Sequence, residues 1–147
     1  MKIYVINGPN LNMLGIREPD IYGRLLYSEL VEKIEAYAKE ESLDVTVYQS
    51  NHEGDLVDKI QEAYFEGADG IVINPAAYTH TSIAILDALK AVSLPAVEVH
   101  ISDVSQREDF RKLSFIRSYC IDSVIGLGVR GYLVAIKKLK DYIESKR

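Results

Sequence analysis

The sequence predicts an α/β fold in which helices cover both faces of one parallel sheet. Short β-branched runs alternate with longer segments of helical period from one end of the chain to the other, and this alternation is typical of βα units. No Pro/Ser-rich linker, repeat or low-complexity tract interrupts the pattern. The 147 residues accommodate about five βα units and can bury one core without disulfides or metal ions. We therefore expect residues 1–147 to form a single domain.

The strand candidates are five short runs, at residues 3–6, 45–48, 70–73, 95–99 and 123–125. Three amphipathic helices carry apolar residues at helical spacing. Their apolar faces are Leu30, Val31, Ile34, Tyr37 and Ala38 in the first, Leu56, Ile60, Ala63 and Tyr64 in the second, and Leu133, Ile136, Leu139 and Ile143 in the last. Gly67 is expected to end the second helix in a left-handed turn. Because parallel sheets bind ligands at the carboxyl ends of their strands, chemistry is expected in the segments that follow each strand.

A fourth helix, from residue 82 to residue 92, has almost no polar face. Its pattern predicts burial on all sides. In a domain of this size only a neighbouring subunit can cover the outer side of such a helix, so we expect a homo-oligomer. The alternative is a helix that exposes a few apolar residues.

The amino-acid composition excludes several classes of function. The chain has 17 Lys+Arg against 22 Asp+Glu, a net charge of −5, and its only basic cluster is the short tail at residues 137–140. This balance argues against a nucleic-acid or membrane surface and favours small-molecule chemistry. The single Cys120 excludes an internal disulfide and a multi-cysteine zinc site, and residues 1–8 lack the pattern of a signal peptide, so a cytoplasmic location is expected.

The segment after the first strand is a long loop over residues 7–23 that carries Arg17 and Tyr22. Turn formation explains its glycines and prolines but not these two side chains. A free tyrosine keeps its proton to about pH 10, so a tyrosine base needs a neighbouring cation at neutral pH. Arg17 is close enough in sequence to supply that cation.

The segments after the third and fourth strands carry further polar residues. Thr79, Thr81 or Ser82 is expected to cap the apolar helix, and His80 beside that helix N-terminus is expected to be neutral. In the fourth strand Glu98 and His100 point to the same face, where the carboxylate can orient and charge the imidazole as a general acid. The alternative is a buried structural pair.

Three other features are weaker signals. The glycines at residues 126–131 match G-x-G-x-x-G, but no later strand can supply the acidic residue of a dinucleotide site, so we interpret them as a tight turn and close helix packing. Cys120 is expected to be a packed thiol. The three histidines are too scattered for a metal site, and none is predicted. A hydrolase using Ser82 or Cys120 and a nucleotide-binding module remain as alternatives.

Six segments in register resemble the type II 3-dehydroquinate dehydratases, or type II dehydroquinases. They are NGPNLN at 7–12, REP at 17–19 with YG at 22–23, QSNHEG at 49–54, NPAAYTHTS at 74–82, EVHIS at 98–102 and GLG at 126–128. The resemblance covers nearly the whole chain. It implies a flavodoxin-like three-layer αβα sandwich with a five-stranded parallel sheet, a dodecamer built of trimers, and a single catalytic domain. It also implies cofactor-free dehydration of 3-dehydroquinate to 3-dehydroshikimate in the shikimate pathway.

The same resemblance implies roles for individual residues. Tyr22 matches the base that removes a proton beside the substrate ketone, with Arg17 stabilising its phenolate. Asn12 matches the residue that holds a water against the enolate oxygen. His100 matches the general acid for the departing hydroxyl, with its charge supported by Glu98.

The remaining matches concern binding of the substrate. The amides of Ile101 and Ser102 match the carboxylate site, and Asn74, His80 and Arg111 match the ring-hydroxyl contacts. Asp87 matches a residue that reaches in from the adjacent subunit. Where many members of the family carry glycine, this chain has Ala76. No lysine follows a predicted strand end, so the Schiff-base route of the unrelated type I enzymes is not expected.

Overall fold

The computed structural model describes residues 1–147 and contains one five-stranded sheet. Its strands are β1 Lys2–Asn7, β2 Asp44–Gln49, β3 Gly70–Asn74, β4 Ala96–His100 and β5 Asp122–Ile125. All four pairings are parallel, and the strand order is β2-β1-β3-β4-β5. The five predicted strands are thereby confirmed, and their carboxyl ends meet at one edge of the sheet.

Helices cover both faces of this sheet. They are α1 Pro19–Tyr22, α2 Tyr27–Glu40, α3 Glu53–Phe65, α4 Ile83–Val92 and α5 Arg130–Ser145, and short 3₁₀ turns lie at Leu11–Met13, Ala76–His80, Val104–Gln106 and Asp109–Lys112. Alternate strand residues point to opposite faces. Ile3 and Val5 of β1 therefore join the core under α2 and α5, whereas Tyr4 and Ile6 join the core under α3 and α4. This is the predicted flavodoxin-like three-layer αβα sandwich.

Helix α4 is buried on only one side within the chain. Ser82 is its N-cap, because Ser82 Oγ accepts a hydrogen bond of 3.0 Å from the Ile85 amide. Ile85 and Leu89 are fully buried, but Ile83 is 57% exposed. The expectation of burial on all sides is therefore not met by the single chain, which leaves one face of α4 open. None of the helices combines the length and the hydrophobicity that a bilayer crossing requires.

The predicted apolar face of α3 is correct except at its end. Leu56, Ile60 and Ala63 are fully buried, but Tyr64 is 55% exposed. It lies in the last turn, one residue beyond the buried Ala63, and its ring packs edge-on against Phe65 rather than into the core. Gly67 follows with φ of +71°, as expected for the left-handed turn at a helix end.

Glycines fix the loops at the carboxyl edge of the sheet. A Cβ on Gly8 would lie 2.3 Å from the carbonyl oxygen of Pro75, so the loop after β1 can touch the loop after β3 only with glycine there. Gly126 and Gly128 have φ of +79° and +64°, which confirms the predicted tight turn. Their amides donate to the carbonyl oxygens of His100 and Ile101, at 3.1 and 3.0 Å. The glycine motif thus braces the end of β4.

Candidate active site

A cleft opens at the carboxyl edge of the sheet, between the loop after β1 and the segments after β3 and β4. Eight of the eleven predicted site residues line it: Arg17, Tyr22, Asn74, His80, His100, Ile101, Ser102 and Arg111. Glu98 lies directly behind His100. Asn12 and Asp87 lie outside the cleft of the single chain.

Tyr22 ends the short helix α1, which starts at Pro19, and its hydroxyl lies between two guanidinium groups. Arg17 Nη2 donates to it at 3.2 Å, as the sequence predicts, and the Arg17 guanidinium carbon lies 4.3 Å from the ring centroid. Arg107 Nη1 donates to the same oxygen at 2.6 Å. Two charged donors therefore converge on one phenolic oxygen. The cleft therefore contains a tyrosine in the setting that a base requires.

Arg107 is a site residue that sequence reasoning did not assign. It follows the 3₁₀ turn after β4, and its guanidinium also lies 3.4 Å from Ser102 Oγ. Its position after the end of β4 marks it only as one of many residues in a segment where site residues are expected. Nothing in its spacing, however, indicates that it reaches Tyr22, which is 85 residues earlier in the chain.

His100 and Glu98 form the predicted pair. His100 Nε2 lies 2.5 Å from Glu98 Oε2, and the Glu98 side chain is fully buried. Since Nε2 is held by Glu98, the ring nitrogen left for a ligand is Nδ1. Burial alone would raise the pKa of Glu98, but the hydrogen bonds and charges of His100 and Arg117 outweigh burial and hold it below its ordinary value. Glu98 is thus an ionised carboxylate behind the imidazole.

Two more side chains hold the Glu98 carboxylate, and neither was predicted. Arg117 donates twice, from Nε to Oε1 at 3.2 Å and from Nη2 to Oε2 at 3.1 Å. Ser114 Oγ donates to Oε2 at 2.9 Å. Both residues lie in the irregular segment between the last 3₁₀ turn and β5, where no periodic pattern marks a contact with β4.

His80 is neutral, as predicted, although the cause differs. Burial lowers its pKa, and the like charges of His100 and Arg111 act in the same direction. The residue ends a 3₁₀ turn rather than starting α4, so the helix dipole is not the main cause. His80 Nδ1 lies 2.6 Å from the carbonyl oxygen of Leu113, which can only accept, so Nδ1 carries the proton. Nε2 is therefore free to accept a hydrogen bond from a hydroxyl group.

The end of β4 provides free amide donors. The N–H groups of Ile101 and Ser102 make no hydrogen bond within the chain, and both residues line the cleft. Neighbouring free amides of this kind suit a carboxylate. Arg111 also lines the cleft, and its Nε is paired with Glu108 Oε2 at 2.5 Å.

Asn74 is held by a buried network. Its Nδ2 donates to Tyr132 Oη at 2.9 Å, and its Oδ1 accepts from the Ala76 amide at 3.1 Å. Tyr132 Oη in turn donates to Asn7 Oδ1 at 2.7 Å. Ala76 has φ of +53°, a left-handed conformation that favours glycine, the residue that the family resemblance led us to expect here.

The two residues outside the cleft take distinct positions. Asn12 is exposed, and its Oδ1 accepts from Gln49 Nε2 at 3.4 Å. Asp87 is exposed on the open face of α4, on the same side as Ile83 and Ala84. Asp87 therefore does not contribute to the cleft of its own chain.

The alternative nucleophiles lack a catalytic setting. Burial raises the pKa of the Cys120 thiol to about 12, which leaves little thiolate at neutral pH. Ser82 Oγ is buried as the cap of α4 and has no histidine partner. The described side chains form no group of three or more His, Cys, Asp or Glu that could hold a metal ion.

Known proteins resemble this chain over nearly its whole length. The family model described as "Dehydroquinase class II" matches residues 1–140. The chain is 52% identical to a 3-dehydroquinate dehydratase of Caldicellulosiruptor saccharolyticus over 97% of this chain and 98% of the relative. It is 52% identical to one of Clostridium perfringens over 99% of this chain and 100% of the relative. A crystal structure of a type II dehydroquinase from Butyrivibrio crossotus superposes with a TM-score of 0.94 at 57% identity, covering 95% of this chain and 97% of that one.

Proposed function

The chain belongs to the class II dehydroquinase family, and from this membership we propose that it dehydrates 3-dehydroquinate to 3-dehydroshikimate through an enolate, without a cofactor. Membership makes it an enzyme, a 3-dehydroquinate dehydratase of the carbon–oxygen hydro-lyase class. The observation that carries the mechanism is the placement of Tyr22, between two guanidinium groups, in the same cleft as the Glu98–His100 pair.

The first step is removal of a proton beside the substrate ketone. The Tyr22 phenolate takes this proton, and the electron pair of the C–H bond moves to the ketone oxygen to form the enolate. Arg17 and Arg107 each donate a charge-assisted hydrogen bond to the Tyr22 oxygen and hold it in position for this step. In the family role, Asn12 holds a water against the enolate oxygen; it would have to leave its contact with Gln49 to do so.

The second step is loss of the hydroxyl group. The enolate re-forms the ketone, a C=C bond forms, and the C–O bond breaks as His100 gives its proton to the departing oxygen. Glu98 orients the imidazole and stabilises its charged form through the bond to Nε2, so the proton leaves from Nδ1. The products are 3-dehydroshikimate and water, and Tyr22 returns its proton to His100 or to solvent.

Groups around the cleft hold the rest of the substrate. The free amides of Ile101 and Ser102 bind its carboxylate. His80 Nε2 accepts from a ring hydroxyl, and Asn74 and Arg111 contact the others. Residues 1–147 act as a single catalytic domain.

The assembly we propose is a dodecamer of trimers in which Asp87 completes a neighbouring site. The exposed side of α4, with Ile83 at its start, supports contact with another subunit. Sedimentation of wild type and Asp87→Ala at matched concentrations tests this proposal. An intact assembly with unchanged substrate affinity in the variant would remove Asp87 from the site. A cytoplasmic location and a biosynthetic role in the shikimate pathway complete the proposal.

The reaction is tested by adding 3-dehydroquinate to chelator-treated protein and following the ultraviolet absorbance of the conjugated enone. We expect an increase in wild type and almost none in Tyr22→Phe. Folded wild-type protein that gives no increase would contradict the proposed substrate. An increase that depends on added metal would contradict the cofactor-free mechanism.

A further inference from the structure

The Glu98 carboxylate has more partners than its role behind His100 requires. One imidazole N–H is enough to align His100, yet Arg117 binds both carboxylate oxygens and Ser114 binds Oε2 as well. Glu98 is fully buried, whereas the Arg117 side chain is 39% exposed. A partly exposed arginine that does not line the cleft therefore binds a buried carboxylate directly behind the general acid.

When His100 is protonated, the single negative charge of Glu98 is balanced against two positive charges, those of His100 and Arg117. A lone carboxylate beside an imidazolium forms a neutral pair, in which the imidazolium is strongly stabilised and gives up its proton reluctantly. With Arg117 present, one carboxylate is shared by two cations. Its attraction for the imidazolium proton is weaker, so the acid is stronger.

Other titratable groups surround the pair, and they do not replace Arg117. The imidazole of His80 is close enough to interact electrostatically with His100, Glu98 and Arg111. The Cys120 thiol, which is uncharged at neutral pH, lies near Glu98 and Arg117. Tyr22, Arg17 and Arg107 line the same cleft as His100. Apart from His100, Arg117 is the only cationic side chain that hydrogen-bonds to Glu98.

We propose that Arg117 is a positioning residue for the general acid: it fixes the Glu98 carboxylate in one orientation and offsets part of its charge, so that His100 releases its proton more readily. This inference rests on the proposed function, in which His100 protonates the leaving hydroxyl. Ser114 helps to orient Glu98 but carries no charge. A Ser114 variant therefore tests the orientation of Glu98 separately from the offset of its charge.

The test compares four variants by the pH dependence of kcat. Arg117→Met removes the charge and both hydrogen bonds, Arg117→Lys restores the charge, and Ser114→Ala removes one neutral hydrogen bond. Lys112→Met is the matched control, because Lys112 is an exposed cation at the end of the preceding 3₁₀ turn and pairs with Asp109 instead.

In Arg117→Met, Glu98 attracts the imidazolium undiminished, and His100 keeps its proton to higher pH. We expect the alkaline limb of the pH profile of kcat to move to higher pH by about half to one pH unit. The shift is modest because Arg117 is partly screened by solvent. At neutral pH kcat should fall several-fold.

Deuterium exchange beside the ketone should then rise relative to dehydration, since only the second step is slowed. Arg117→Lys should recover most of the shift, whereas Ser114→Ala and Lys112→Met should leave the limb in place.

A folded Arg117→Met variant whose alkaline limb does not move overturns the proposal, and a loss of melting temperature alone would show a purely structural contact. The NMR titration of the His100 imidazole in the unliganded protein gives a readout independent of turnover. If wild type fails to dehydrate 3-dehydroquinate but this titration still moves up in Arg117→Met, the proposed function fails while the charge effect stands. If the titration does not move, the inference fails whatever the substrate.

Discussion

Tyr22 and His100 face the same cleft, but Tyr22 ends a four-residue helix with no buried residue, whereas His100 ends a strand in which every residue is buried. The base is held by hydrogen bonds from the guanidinium groups of Arg17 and Arg107. The acid is fixed by the sheet, by the Gly126 turn and by Glu98. Charge therefore positions the base, while packing positions the acid.

One fold can thus supply two opposite proton-transfer groups from two different local settings. A strand end surrounded by core gives an acid a fixed geometry and a buried carboxylate partner. A loop gives a base access to the open side of the cleft, where cations can stabilise its anion without burying it. Changes on the loop side should alter chemistry with little loss of stability, and changes on the strand side should alter both.

The largest effect is expected from Tyr22→Phe, which removes the reacting oxygen from the loop side. Turnover should fall by about a thousandfold, the range of a lost general base. Substrate affinity and the unfolding midpoint should stay close to wild type, because no buried contact is lost. Steady-state kinetics, substrate binding by calorimetry and thermal unfolding measure the three quantities. Near-normal turnover would remove Tyr22 from the base role.

A smaller loss is expected from Arg107→Met. The variant keeps Arg17 but removes the shorter of the two hydrogen bonds to the Tyr22 oxygen. Loss of one charge-assisted hydrogen bond corresponds to about a tenfold to hundredfold decrease in kcat. Arg130→Met, at the start of α5 and away from the cleft, is the control. Equal effects of the two variants would contradict a specific contact.

On the strand side, Glu98→Gln should reduce stability at neutral pH by about 2 kcal/mol. The pKa of Glu98 is lower in the folded than in the unfolded chain, because the hydrogen bonds and charges of His100 and Arg117 outweigh burial. The stability that the ionised carboxylate contributes is therefore complete above the ordinary glutamate range and is lost as the pH falls through the folded pKa. Denaturant unfolding between neutral and acidic pH should show the difference between wild type and variant shrinking. A constant difference would contradict the ionised state.

The smallest effect is expected at Ala76, where the methyl group is held at a positive φ. Ala76→Gly should raise the free energy of unfolding by about 0.5–1 kcal/mol, because glycine adopts this conformation without strain. Ala77→Gly is the matched control, since Ala77 has no positive φ and glycine there should lower stability. If both substitutions destabilise the protein, the conformation at Ala76 is not strained.

The sheet could be predicted well because each strand is encoded by a short local run of residues. The run from Gly70 to Ile73 and the pair Glu98 and His100 are local patterns, and the structure places both as expected. The contacts that were missed join distant segments: Arg107 with Tyr22, Arg117 with Glu98, and Tyr132 with Asn7 and Asn74. No periodicity encodes such contacts, since they depend on how the loops fold over the strand ends. The outer face of α4 could be marked as unusual from sequence, but a single chain does not show what covers it.

The most direct test of the opposed base and acid is hydrogen exchange beside the substrate ketone. Each variant is incubated with 3-dehydroquinate in D₂O, and NMR follows both deuterium incorporation and enone formation. We expect His100→Ala to exchange the proton while forming almost no enone, because only the second step is lost, and Tyr22→Phe to do neither. Exchange in Tyr22→Phe, or its absence in a folded His100→Ala that still binds the substrate, would contradict the assignment of base and acid to the two sides of the cleft.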